Sequence, residues 1–357
     1  MQHTRLTIHG ETLAGTEIIR AARLRMNTPG IAAWENDIYL FVDQWFGPES
    51  IVTAHTSGST GTPKAIALKK QWMEYSARQT CSFFELTHQS TALLCLPAAF
   101  IAGKMMLVRA FVSGLHLFCK APEGDPFGDK GMGVDFAAIT PFQLAQSYNT
   151  LFRQPIKTVI VGGGEISPAL EAAVQSVPVD IFATYGMTET SSHIALRKVN
   201  GEDRKDRFSV MGSTRIALDD RQCLVIENPE LFDGKLVTND IAEIHDEKTF
   251  RWLGRFDNVI NSGGVKIMPE EIEQTIAPLR PENMLIAPFP DEKLGNTVAL
   301  YIEGVPLNPH DEKQLIDAIR QLVHPYAVPR QIRYTPVFPK TPNGKTDRKA
   351  LLIELFS

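Results

Sequence analysis

The densest potential for chemistry lies in nine residues, TSGSTGTPK, from Thr56 to Lys64. Hydroxyls (Thr56, Ser57, Ser59, Thr60, Thr62) are interspersed with two glycines, Gly58 and Gly61, and the stretch ends on one lysine, Lys64. Glycines let backbone N–H groups approach anionic oxygens, hydroxyls add donors, and the lysine adds a positive charge, so the composition suits a polyphosphate. The loop of P-loop NTPases has the spacing G-x-x-x-x-G-K-[ST]. Counted from Gly58, its second glycine falls on Pro63 and its metal-binding hydroxyl on Ala65. Proline has no N–H and alanine cannot hold a metal, so this is a phosphate loop of another kind.

Such a loop needs firm flanks. SIVTAH (50–55) before it and AIAL (65–68) after it read as strands. From about residue 50 to 190 the pattern alternates strand and helix. TALLCLP (91–97), KTVIVGGG (157–164) and VDIFATYG (179–186) read as buried strands, and Ser167 with Pro168 can cap and start a helix between the last two. This alternation predicts a mainly parallel sheet, with ligands gathering beyond the carboxyl ends of its strands. GGG (162–164) and YGMTET (185–190) sit at such ends. The first is no dinucleotide fingerprint, because Ser167 stands where the third glycine of G-x-G-x-x-G belongs.

From about 210 to 256 short strands and turns predict an antiparallel subdomain. After it comes a compact α+β pattern with helices PEEIEQTIAPL and DEKQLIDAIRQLV, the second with Leu315, Ile316, Ile319 and Leu322 as core. The expected domains are 1–256 and 257–357. With 357 residues, 43% of them hydrophobic, the chain can bury a substantial core. A net charge of −5 without a cationic tract argues against a nucleic-acid partner. Four cysteines without C-x-x-C spacing predict neither a disulfide framework nor a zinc site, and a cytoplasmic location fits. MMLVRAFVSGLHLF (105–118) is broken by Arg109 and Gly114, so no membrane span is expected.

Four motifs stand in order: TSGSTGTPK (56–64), YGMTET (185–190), GRFDNVINSGG (254–264) and PNGKTDRKAL (342–351). Together they resemble the adenylate-forming superfamily of acyl-CoA synthetases, adenylation domains and luciferases, over nearly all the chain from residue 51. The resemblance implies a large α/β domain with a mainly parallel sheet and small antiparallel β subdomain, followed by a small mobile α+β domain. It implies ATP, Mg2+ and coenzyme A as reactants, with a carboxylic acid that is first adenylated and then passed to a thiol.

By the same resemblance, Thr56, Ser57, Gly58, Ser59, Thr60, Gly61 and Lys64 would cradle the β and γ phosphates. Tyr185 would lie along the adenine near Gly163, Gly164 and Glu165. Thr188 would bond the α-phosphate and Glu189 would hold magnesium. Asp240 would accept the ribose hydroxyls with Arg255 donating nearby, and Lys345 would bridge α-phosphate and carboxylate. Asp257 would be the hinge that brings Gly263 and Gly264 to the pantetheine arm.

GRFDN, SGGVKIMPEEIE and LPAAFIAGKMMLVRAFVSG look most like the o-succinylbenzoate–CoA ligases of menaquinone synthesis. Arg109 falls where those ligases carry an arginine, and an arginine in an apolar helix needs an anion. The spare carboxylate of the substrate would supply it, with Lys104 a second candidate. Three features depart from the pattern: Phe100 replaces a usual histidine, TND replaces TGD, and only 55 residues precede Thr56. The acyl pocket is therefore expected to be more open or completed by a partner subunit, and a homo-oligomer is open. The alternatives are another aryl- or acyl-CoA ligase, an adenylation enzyme that loads a carrier-protein thiol, and a non-catalytic module that keeps the fold.

Overall fold

The computed structural model of the chain describes residues 5–55, 64–128, 133–280, 282–339, 346–348, 350 and 351. Contacts divide the chain into two units. The first comprises Met1–Ile166, Val174–Arg215 and Glu227–Gly234. Its strands are β1 (Arg5–Ile8), β2 (Glu11–Ala14), β3 (Ile51–His55), β4 (Ala65–Lys69), β5 (Thr91–Leu94), β6 (His116–Cys119), β7 (Val134–Ile139), β8 (Ile156–Val161), β9 (Asp180–Gly186), β10 (His193–Lys198) and β11 (Phe208–Val210). Its helices are α1 (Thr16–Met26), α2 (Ala33–Phe46), α3 (Lys70–Phe83), α4 (Ile101–Ser113) and α5 (Pro141–Leu151).

Within this unit the sheet runs β11-β10-β9-β8-β7-β5-β6-β1-β2, and β3 and β4 form a separate antiparallel hairpin. Neighbours from β9 across to β1 are parallel; β2, β10 and β11 join antiparallel. The expected mainly parallel sheet is therefore present. β5, β7 and β8 are short apolar runs because parallel strands are buried on both faces. Strand order reverses between β5 and β7, which makes their carboxyl ends the topological switch point. Helix α4 leaves β5 at that point. It is buried from Gly103 to Phe111, as a helix apolar on all sides must be, and it packs on β1, β5 and β6. Helix α5 leaves β7 with Pro141 at its first position and a reciprocal cap, Gln143 N to Thr140 Oγ1 (3.2 Å) and Thr140 N to Gln143 Oε1 (3.0 Å).

The second unit comprises Ser167–Ala173, Ile216–Ile226 and Lys235–Ser357. Helix α6 (Pro168–Ala173) begins as the sequence implies, with Leu170 N donating to Ser167 Oγ at 3.3 Å. Strands β12 (Arg215–Leu218), β13 (Cys223–Glu227), β14 (Lys235–Asp246) and β15 (Thr249–Arg255) pair in chain order, β14 with β15 antiparallel. Next come β16 (Ile260–Ser262), β17 (Val265–Ile267), α7 (Pro269–Ile276), β18 (Met284–Asp291), β19 (Gly295–Glu303), α8 (Pro309–Leu322) and β20 (Gln331–Thr335). These strands form a second sheet, β17-β16-β19-β18, with β20 parallel to β19. Ile272 and Ile276 of α7 and Leu315 and Ile319 of α8 close its core. Leu322, expected in that core, is half exposed because α8 ends on it, beyond the reach of the sheet. Among the described residues no helix is long and apolar enough to cross a membrane.

Candidate active site

In the first unit, Tyr185 is the last residue but one of β9 and is 9% exposed, its ring 6.0 Å from that of Phe208. The chain then turns at Gly186, where a Cβ would lie 2.3 Å from Ser192 O and 2.5 Å from His193 Cα. Only glycine admits that approach, which folds MTETSS back on the strand. Thr188–Thr190 form one 3-10 turn against β4, the strand that follows TSGSTGTPK. Thr190 fastens the turn, accepting from Met187 N (3.0 Å) and donating to Ser192 O (2.6 Å). Ser191, with φ of 62°, is a buried non-glycine residue in the left-handed region, and its Oγ has no partner among the described residues. Backbone strain of this kind accumulates where function over-determines the chain.

This turn presents Thr188 and Glu189. The half-buried Glu189 carboxylate makes no hydrogen bond or ion pair among the described residues. No group of three metal-ligating side chains exists among them either. One uncommitted carboxylate fits magnesium, which is commonly held by one or two carboxylates together with substrate phosphates. Gly163 has φ of 78° and nothing within 4 Å of a Cβ position, and Glu165 beside it is exposed. Lys64 is exposed at the start of β4. Thr56, Ser57, Gly58, Ser59, Thr60 and Gly61 lie outside the described residues, as does Lys345; the flanking pair His55 and Ala65 stand opposite each other in the hairpin.

Arg109 lies inside the same unit, 2% exposed. Its Nη2 donates to Ser192 Oγ at 3.0 Å, its Nη1 approaches Met106 Sδ at 3.5 Å, and its Nε has no partner. The Phe136 ring centroid is 6.0 Å from the guanidinium carbon. Among the described residues no carboxylate lies within ion-pair distance. Burial pushes its pKa down to about 10, which leaves it charged at neutral pH. Lys104 is not brought to Arg109: five residues apart on one helix, the two point roughly 140° apart. Lys104 Nζ instead donates to Ala98 O at 2.9 Å and sits 4.8 Å from the Phe41 ring of α2, and burial lowers its pKa. Phe100 is half-buried at the start of α4.

In the second unit, the β14–β15 register sets Asp240 opposite Arg255. Asp240 is 7% exposed, and its Oδ1 accepts from Trp252 Nε1 (3.3 Å) and Arg255 Nη1 (3.4 Å). Burial lowers the Arg255 pKa, but the charges of Asp240 and Asp257 outweigh it, so the net shift is upward. Trp252 was not among the sequence candidates; a register shift in β15 opposite Ile241 and Ala242 brings it to Asp240, and no sequence signal marks it. Asp257 sits in a 3-10 turn after β15, bonded by Arg255 Nη2 at 3.1 Å. Gly263 and Gly264, with φ of 58° and 86°, form the two-residue turn between β16 and β17. The hairpin alone demands these glycines.

The AMP-binding enzyme family matches residues 32–231. A 2-succinylbenzoate–CoA ligase of Listeria monocytogenes is 24% identical over 339 residues, covering 87% of this chain and 71% of that protein. The solved acyl-CoA synthetase (AMP-forming)/AMP-acid ligase II-like protein of Dyadobacter fermentans is 32% identical, with a TM-score of 0.61 over 94% of this chain and 97% of that one. The o-succinylbenzoate coenzyme A synthetase of Bacillus subtilis, solved with ATP and magnesium ion, shares the fold at 16% identity, with a TM-score of 0.74 over 98% of this chain and 97% of that one. The chain belongs to the AMP-binding enzyme family.

Proposed function

We propose that the chain is an AMP-forming acid–CoA ligase acting on o-succinylbenzoate. In the first half-reaction a carboxylate oxygen attacks the α-phosphorus of ATP, the α–β P–O bond breaks, and pyrophosphate leaves. In the second, the thiol of coenzyme A loses its proton and attacks the acyl carbon, the C–O bond to the adenylate breaks, and AMP leaves. The first step gathers negative charge at the α-phosphate, which oriented donors and cations must offset. Thr188 and Lys345 supply donors there, and Glu189 would hold the magnesium that accompanies ATP, which would supply further positive charge. Tyr185, with Gly163, Gly164 and Glu165, borders the base, and Asp240 with Arg255 takes the ribose. Thr56, Ser57, Gly58, Ser59, Thr60, Gly61 and Lys64 bind the outer phosphates. The domain that turns between half-reactions begins at the hinge Asp257 and brings Gly263 and Gly264 to the thiol. Four buried free cysteines fit a reducing cytoplasm.

The observation that carries the choice of acid is Arg109, a buried guanidinium with an unpartnered Nε and no carboxylate within ion-pair distance among the described residues. A diacid supplies one carboxylate for activation and one for this arginine. The test is acid-dependent exchange of pyrophosphate into ATP across a panel of carboxylic acids. Exchange with o-succinylbenzoate well above simple benzoic and fatty acids is expected. Silence with o-succinylbenzoate and exchange with a monoacid would contradict the assignment.

A further inference from the structure

Arg109 is the first member of a chain of four side chains inside the first unit, all buried but the half-buried Ser192. Its Nη2 donates to Ser192 Oγ (3.0 Å); Ser192 Oγ lies 3.4 Å from His193 Nδ1; His193 Nε2 lies 3.2 Å from Thr80 Oγ1; and Thr80 donates to Ser76 O (3.1 Å). Thr80 and His193 are 0% and 8% exposed. The chain has a pure donor at one end and a pure acceptor at the other. A guanidinium only donates, and a carbonyl oxygen only accepts. With the Thr80 hydrogen on Ser76 O, its oxygen accepts from His193 Nε2–H. Neutral His193 then has a bare Nδ1, which takes the hydrogen of Ser192 while Ser192 accepts from Arg109. This hydrogen placement uses the Nε2–H tautomer. A doubly protonated ring would set two donors against the hydroxyls and a cation beside Arg109. Burial, with the Arg109 charge, keeps His193 well below its usual pKa.

We propose that Ser192, His193 and Thr80 are positioning residues that hold the Arg109 guanidinium in one orientation, with its unpartnered Nε edge presented to the carboxylate of the acid substrate that is not activated. The inference rests on the Arg109 assignment above and adds how specificity is enforced. Without the chain, Arg109 keeps its charge but loses the one strong side-chain acceptor it has among the described residues, and its fork is free to rotate. Ser192 follows Glu189 by three residues on the same fastened turn, so recognition of the acid and placement of the metal ligand share one piece of backbone.

The test compares KM for o-succinylbenzoate with KM for its analogue carrying an amide in place of the spare carboxylate, in the wild type, His193→Phe, His193→Gln, Thr80→Val and Arg109→Met. His193→Phe should raise KM for the acid about tenfold and KM for the amide and ATP less than twofold. His193→Gln, which offers an oxygen to Ser192 and an N–H to Thr80, should recover most of the loss. Arg109→Met with His193→Phe should be no worse than Arg109→Met alone. An unchanged acid-to-amide ratio in His193→Phe, with a collapsed ratio in Arg109→Met, would overturn the positioning role and leave the Arg109 assignment standing. An unchanged ratio in Arg109→Met would overturn both. Should His193→Phe not fold, Thr80→Val carries the same comparison, with a threefold rise for the acid expected. Nitrogen chemical shifts of the wild-type imidazole give a readout without any variant. A protonated Nε2 and bare Nδ1 at neutral pH are expected, and a protonated Nδ1 would overturn the proposal.

Discussion

Replacing Arg109 with methionine should weaken binding of the acid and raise stability together. The structure sets both magnitudes. On the binding side, a hydrogen bond to a charged group contributes about 1.5 to 3 kcal/mol, so KM for o-succinylbenzoate should rise about ten- to a hundredfold while KM for ATP holds. On the stability side, burying an unpaired ion costs several kcal/mol. Against that, Arg109 has one good hydrogen bond, to Ser192, contributing about 1.5 kcal/mol, and an aromatic face at 6.0 Å, the outer edge of the useful range. The balance is unfavourable by roughly 1 to 3 kcal/mol, which methionine of similar length removes. The melting temperature should therefore rise by a few degrees. The assays are initial rates at saturating ATP and coenzyme A, and calorimetry without ligands. A variant that melts several degrees lower, with equal losses for acid and amide, would show Arg109 to be structural and refute the reasoning.

Lys345→Ala should slow acyl-adenylate formation by on the order of 3 kcal/mol, while preformed acyl-adenylate still yields thioester at near-native rate; equal losses would contradict alternation. Asp257 is the second residue of its 3-10 turn, a place proline tolerates, so Asp257→Pro should fold, adenylate normally and fail at thioester formation. Unchanged turnover in both steps would move the hinge elsewhere. Because the folded state holds His193 neutral, the unfolded state binds the extra proton as pH drops below about 6.5. Stability present above that pH should fall as acid is added, and His193→Gln should flatten the fall in urea titrations; parallel curves would count against it. Arg348 donates to Ile286 O at 3.1 Å and to Glu273, whose pKa burial raises to about 8 despite Arg348. Arg348→Met should destabilise the second unit by about 1 to 3 kcal/mol in urea unfolding, since it takes a donor away from the buried Glu273 carboxyl and from Ile286 O. A change below about 0.5 kcal/mol, the scale of ordinary surface substitutions, would refute this.

Local pattern was enough where the chain's own period decides the element. The strands around TSGSTGTPK, the Ser167 cap and the antiparallel run 210–256 follow from apolar runs and turn residues. The first fifty residues were not legible. Strands β1 and β2 have four residues each, and their turn is His9–Gly10, with φ of 51° and 81°, a hairpin signal easily lost beside such short strands. The motifs supply the candidate site residues but not the side chains that support them. Thr80 and His193 are 113 positions apart, and only the packing of α3 on the sheet brings them together. Trp252 reaches Asp240 through strand register, which no motif encodes.

The most direct test of the central claim is the product itself. The purified chain is incubated with ATP, magnesium, coenzyme A and o-succinylbenzoate, and thioester and nucleotide are measured by mass. The account predicts o-succinylbenzoyl-CoA and AMP in equal amounts, both absent without the acid. Thioester with ADP in place of AMP, or acyl-adenylate that accumulates with coenzyme A present and no thioester, would contradict it.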